Sequence, residues 1–398
     1  MSPGLIVLLL SLLLGLQPLT TDMYLPALPA LTQGFGATMS QAQLTLTALL
    51  LAFGCSQLIW GPLSDRYGRR PILLWGLGAY VLSALACAVA PSMAWLILWR
   101  AVQGAAMGAA VMCARAIVRD LYQPLEGARV MSKGMTGLGV IACLSAPVGG
   151  ALAHWLDWRA VLFTLALCSG ATLAIILWRF EETLPHKNPR ALQVSTLGRN
   201  GWHILRHPTF VAFSALSVCS YAGLFTFLAS SSFVCIQVLG LSKPQFGLVM
   251  FFSSISYILG TLLCRRLLQR LGLHRTLALA GGITLTAGTL MGGLALAGCH
   301  SVWTLLPPFY LYMIGHGVHQ PCGQSGAVGP FPHAAGAASA LNGFLMMLAA
   351  FAMGTWLGVN MDGTVLPLTN GVWFWSVCVS LTAWTLVQRH DRGTLTRA

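Results

Sequence analysis

GPLSDRYGRRP, residues 61–71, holds four of the 31 Lys, Arg, Asp and Glu residues in the chain, and apolar runs press on it from both sides. Leu44 to Leu63 lies upstream and Pro71 to Ala90 downstream. An α-helix needs about 20 apolar residues to cross ~30 Å of hydrocarbon, whereas a barrel strand needs only ~10. The stretch therefore reads as a short charged connection between two membrane-spanning helices. Gly61 and Gly68 permit tight turns, Pro62 and Pro71 mark helix boundaries, and Asp65 stands among Arg66, Arg69 and Arg70, where it can pair.

The same reading extends over the whole chain. Of 398 residues, 56% are hydrophobic and 8% charged, against about 25% charged in a soluble domain. Besides the two runs above, spans are expected at Leu5 to Leu25, Ala94 to Val118, Met131 to Ala153, Ala160 to Trp178, Thr209 to Ala229, Phe246 to Leu263, Thr276 to Ala297, Trp303 to Gln324, Ala334 to Gly354 and Gly371 to Val387. The fold class is all-α integral membrane, with twelve transmembrane helices. The first run has no preceding basic residue and no small-residue cleavage site after it, so it reads as a retained helix.

The formal net charge of +13 could suggest a nucleic-acid partner, but the placement of the charges accounts for it without one. With the N-terminus in the cytoplasm, nineteen of the 22 Lys and Arg residues fall on the inner side. Arg100, Arg159 and Lys243 are the exceptions. This is the positive-inside pattern of a multi-pass protein, and it places both termini in the cytoplasm. The eleven cysteines sit mostly in apolar runs with no pairing pattern, so no disulfide framework is expected.

Arg179 to Pro208 is the longest hydrophilic stretch and divides the spans six and six. It contains EETLPHKNPR, residues 181–190, and reads as a cytoplasmic linker over 181–207 between bundles at 1–180 and 208–398. The halves resemble each other at an offset of 204: DRYGRRPILLWGLG from Asp65 aligns with QRLGLHRTLALAGG from Gln269. Two homologous six-helix bundles suit a transporter that works around a central site.

Gly61 to Arg70 contains G-x-L-x-D-R-x-G-R-R complete, which resembles the signature between the second and third helices of the major facilitator superfamily. TDMYLPALP (21–29), LWRAVQGAAMGAA (98–110), RAIVRDLY (115–122), APVGG (146–150), WRAVLF (158–163), ETLP (182–185) and FPHAAGAASAL (331–341) are together similar to its Bcr/CflA branch of drug:proton antiporters. The resemblance implies the major facilitator fold, a bacterial inner-membrane location, monomeric action, small amphipathic drugs or metabolites as substrates, and the proton gradient in place of any cofactor. It also implies a conformational latch: Asp65 facing the start of the eleventh helix near Gly336, and Arg69 paired with an acid for which Asp120 is the candidate, with Gly61, Arg66, Gly68 and Arg70 completing the motif. In the fifth helix, Pro147, Gly149 and Gly150 match the antiporter motif, while alanine replaces glycine at 142 and 146.

Asp22 is the one acid not assigned to a loop or helix end. It lies either at the outer mouth or, if the first helix runs on through Leu31, inside the membrane, where acids are costly unless functional. Arg100 is either an interfacial anchor or the proton-handling arginine that R-x-x-Q-G implies. Tyr24, Gln103, Tyr221, Phe225, His316 and His319 are candidates for the substrate cavity. HGVHQPC places His316, His319 and Cys322 on roughly one helical face, but no carboxylate accompanies them and Pro321 would interrupt the helix, so no metal site is expected. Nor does the sequence contain a metalloprotease, nucleophile-elbow or Walker motif, so neither an enzyme nor an ATP-driven pump is expected. An uptake symporter on the same fold remains the alternative to export.

Overall fold

The computed structural model describes residues 2–122, 124–184, 187, 201–331 and 334–390, and of residues 124, 125, 128 and 390 the backbone alone. Arg190, Arg199, Asp391, Arg392, Arg397 and most of the 181–207 linker therefore lie outside the described residues.

Ten helical stretches are long and apolar enough to cross a membrane. One of them, Lys243–Leu296, is two helices meeting at Gly272, which has φ 73° and ψ 177°. A further helix, Val302–Val328, lies outside this apolar set; it carries His316, His319, Gln320 and three prolines. Twelve spans result among the described residues. In chain order they are Pro3–Phe35, Met39–Tyr67, Arg69–Ala88, Met93–Leu121, Pro124–Trp155, Trp158–Arg179, Pro208–Phe233, 243–271, 273–296, Val302–Val328, Ala335–Asn360 and Leu366–Trp384. Most outrun the apolar runs read from sequence, because polar residues at their ends still close intrahelical bonds. Asp362, in the loop before the twelfth span, accepts from Thr364 N–H at 3.0 Å and Oγ1 at 2.7 Å, and these bonds hold its carboxyl below its ordinary range.

The opening stretch takes a tighter form than the sequence suggests. Helix continues through Gly61, Pro62 and Asp65 to Tyr67 and resumes at Arg69. Gly61 is thus helical, not a turn, and Pro62 is interior to its helix. Pro62 removes one hydrogen bond without ending the helix, and in a membrane such a gap is tolerated where neighbouring groups satisfy the freed carbonyl. Only Gly68 separates the spans, at φ 110° and ψ 163°. It and Gly272 stand 204 residues apart in the internal repeat, and both adopt positive φ that glycine alone takes without strain. Pro321 likewise does not interrupt the tenth span, since it lies within one continuous helix together with Pro307 and Pro308.

The chain divides into two compact units, Met1–Leu197 with Lys243–Phe251, and Gly198–Ser242 with Phe252–Ala398. In the first unit the second and fourth spans approach until backbone meets backbone: a Cβ on Gly104 would overlap the Leu49 carbonyl. The first turns of the eighth span belong to this unit and rest on the fifth. Lys243 Nζ donates to Ala153 O at 2.8 Å, and a Cβ on Gly150 would come within 2.6 Å of Lys243 O. Gly149 lies against the carbonyl of Met23 in the same way. Pro147, Gly149 and Gly150 thus form a smooth face on which two other segments lie flush, as small residues allow in lipid. In the second unit, Phe213, Leu216, Leu277, Ala280, Val318 and Val379 contribute to the core.

Candidate functional site

The first unit holds two buried polar clusters. At the hinge, Arg69 is 1% exposed. Its Nε donates to Asp120 Oδ2 at 2.8 Å, Nη2 to Asp120 Oδ1 at 3.4 Å, and Nη1 to Asp65 Oδ1 at 2.7 Å and Ser64 Oγ at 2.6 Å. Both carboxylates therefore share one guanidinium, a planar fork suited to such pairing. They differ in depth: the Asp120 side chain is 7% exposed and that of Asp65 42%. Arg119 adds a looser contact to Asp65 at 3.7 Å. Arg66 stacks over its neighbour Tyr67, while Arg70 donates to Leu177 O at 3.1 Å.

Glu182 completes this cluster, a role invisible in the linear sequence. Its carboxylate accepts from the backbone N–H of Arg69 at 2.9 Å and of Arg70 at 3.1 Å, and also from those of Thr183 and Leu184. An anion at a helix N-terminus satisfies orphan donors and complements the dipole. A side chain on Gly68 would collide with this carboxylate, a second reason for glycine there. Glu182→Ala is expected to cost about 1 kcal/mol through the lost cap, read as a lower melting temperature in detergent, with Glu182→Gln intermediate.

The second cluster surrounds Arg100, which is 0% exposed and so not an interfacial anchor. Its guanidinium lies 4.1 Å from the Tyr24 ring centroid, donates to Gln103 Oε1 at 2.7 Å, and reaches the Thr20 carbonyl at 3.4 Å. Its Nε has no hydrogen-bond partner. Thr20 Oγ1 already donates to Leu16 O, so Tyr80 OH donates to Thr20; by the same logic Tyr24 OH donates to Thr45 Oγ1 at 2.8 Å. The positive charge is spread over a π face, an amide and a carbonyl, with no carboxylate paired to it among the described residues.

Asp22 ends the first helical segment, Pro3–Asp22; a 3₁₀ turn, Leu25–Ala27, and a second helix, Leu28–Phe35, carry the span onward. The acid therefore sits at a break well inside a 33-residue span, not in an outer loop. It is half-buried and accepts a hydrogen bond from Thr21 Oγ1 at 2.8 Å. Thr20 and Tyr24, four residues apart, share the face that meets Arg100; Asp22, two residues from each, points about 200° away. Asp22 and Arg100 thus have separate partners, and no ion pair joins them.

The six residues expected to line a substrate cavity are all buried: Tyr24, Gln103, Phe225 and His319 at 0%, His316 at 3% and Tyr221 at 9%. Tyr24 and Gln103 are tied into the Arg100 cluster and present no open wall. In the second unit, His316 Nδ1 bonds Ser220 Oγ at 2.8 Å and His319 Nε2 bonds Thr284 Oγ1 at 3.3 Å. Among the described residues no group of three or more His, Cys, Asp or Glu could hold a metal ion.

The sequence pattern of the Major Facilitator Superfamily matches residues 10–354. The chain belongs to this superfamily. As a major facilitator protein it is a multi-pass membrane transporter of small molecules. It is 32% identical to multidrug resistance protein D of Escherichia coli K12, over 87% of this chain and 86% of that one. It is 31% identical to a chloramphenicol resistance protein of Pseudomonas aeruginosa (84% and 79%), and 26% identical to a bicyclomycin resistance protein homolog of Haemophilus influenzae (91% of each). Among solved structures, the E. coli xylose transporter XylE superposes with a TM-score of 0.77 over 97% of both chains at 15% identity, a likeness of fold alone.

Proposed function

We propose that this major facilitator protein exports small amphipathic drugs or related metabolites in exchange for protons, acting as a monomer in a bacterial inner membrane with both termini in the cytoplasm. The relatives named for multidrug, chloramphenicol and bicyclomycin resistance support the substrate class. One observation carries the coupling: among the described acids, Asp22 alone lies in the interior of a span, away from either end, with no basic partner, whereas Glu126 stands exposed in the first turn of its span. Asp65 and Asp120 pair with Arg69, Glu182 caps a helix, and Asp157 pairs with Arg159. An acid in hydrocarbon without a cation is expensive to ionise, and such residues mark proton paths. Protonation of Asp22 and occupation by substrate compete, so each proton admitted releases one molecule outward.

The hinge cluster serves as the latch. Asp65, the exposed partner, leaves and returns through the cycle while Asp120 keeps Arg69 compensated. Asp65→Asn is accordingly expected to reach the membrane and melt within a few degrees of the parent, yet to lose most of its transport. Normal efflux by this variant removes the latch from the mechanism. Alanine at 142 and 146 in the antiporter motif keeps uptake symport in view. In everted vesicles carrying a preformed, inside-acid pH gradient, substrate addition collapses the gradient for an exporter and leaves it standing for a symporter.

A further inference from the structure

All eleven cysteines are free thiols, and two of them meet. Cys264 of the eighth span and Cys322 of the tenth, 58 residues apart in the chain, place their Sγ atoms 3.6 Å from each other. Each is 4% exposed, and both belong to the core cluster of the second unit with Leu277, Ala280 and Val318. What brings them together is the crossing of their helices one turn away. A Cβ on Gly260 would overlap the Ile314 carbonyl, and one on Gly317 would lie 2.6 Å from the Tyr257 carbonyl, so the two backbones are in direct contact there. Cys264 follows Gly260 by four residues, on the same helical face, and is followed by exposed Arg265 and Arg266. The Cys264 thiol therefore lies one residue along the chain from an exposed charged pair.

A disulfide requires sulfurs at about 2.05 Å. Closing the present gap takes side-chain rotation, not separation of the helices, because the glycine crossing already fixes the backbones close together. We propose that Cys264 and Cys322 form a reversible oxidation site that a hydroperoxide closes into a disulfide, stapling the eighth span to the tenth. The thiolate of one cysteine attacks the peroxide oxygen and becomes a sulfenic acid as the O–O bond breaks, releasing water from hydrogen peroxide. The second thiol then attacks that sulfur, forming the S–S bond and releasing a second water. Two thiols are oxidised and one peroxide reduced. A reducing cytosol reopens the bond by thiol exchange. The staple forbids sliding between these packed helices, the small shear by which packed elements change conformation.

The test exposes purified, reconstituted protein to hydrogen peroxide, then maps peptides without reduction and measures transport in the same vesicles. The expected result is a Cys264–Cys322 linked peptide and a several-fold loss of transport, both reversed by dithiothreitol. Cys264→Ser and Cys322→Ala should each lack the link and keep their transport under peroxide. Oxidation of exposed Cys299 with no Cys264–Cys322 link overturns the proposal, as does a link that leaves transport unchanged.

Discussion

Asp120→Ala is expected to destabilise the protein by about 3–5 kcal/mol, the cost of stripping the partner from a buried charge. Arg69 is 1% exposed and cannot turn to solvent. Of its partners, Asp120 holds Nε and Nη2 from a side chain 7% exposed, whereas Asp65 holds only Nη1 from one that is 42% exposed. Asp120 also accepts from Thr183 Oγ1 at 3.5 Å, so its loss loosens the segment that carries Glu182 to the start of the third span. One substitution thus weakens the ion pair and the cap together. Melting in detergent, followed by size-exclusion fluorescence, should show Asp120→Ala falling well below Asp65→Asn. Equal losses would mean that Asp65 supports the fold as much as Asp120 does, and the division of labour between them would be wrong.

The second large effect is functional. Asp22→Asn is expected to leave folding intact, since asparagine fills nearly the same volume and still accepts the Thr21 hydroxyl. Uphill extrusion should vanish. One charge moved through 100 mV supplies about 2.3 kcal/mol, which sustains a roughly 50-fold concentration ratio. Without a titrating group that coupling is gone, and substrate should equilibrate to a ratio near one. Everted vesicles energised by respiration check this directly: parent protein accumulates substrate, while the variant matches vesicles lacking the transporter.

Much of the fold was legible because one physical demand dominates it. A chain crossing hydrocarbon must satisfy its backbone internally, so apolar length translates into helices. The repeat at offset 204 was equally readable, and its glycines at 68 and 272 share positive φ. The 61–71 connection is tighter than its glycines and prolines suggest. Glycine and proline signal breaks in soluble chains, but Gly61 and Pro62 sit inside a helix held by its packed neighbours. The tenth span shows the same override at Pro321.

The site was less legible, for a geometric reason. Glu182 meets Arg69 across 113 residues and Arg100 meets Tyr24 across 76, distances over which local pattern carries no information. Nor does sequence say which way a side chain points around its helix. Asp22 and Tyr24 are near neighbours in the chain, yet only Tyr24 faces the buried guanidinium.

The central claim is that Asp22 exchanges its proton for substrate. Purified protein in weakly buffered detergent, with a pH indicator, tests it by the protons released when substrate is added. The account predicts release of about one proton per bound molecule from the parent and none from Asp22→Asn. Equal release from both would contradict it.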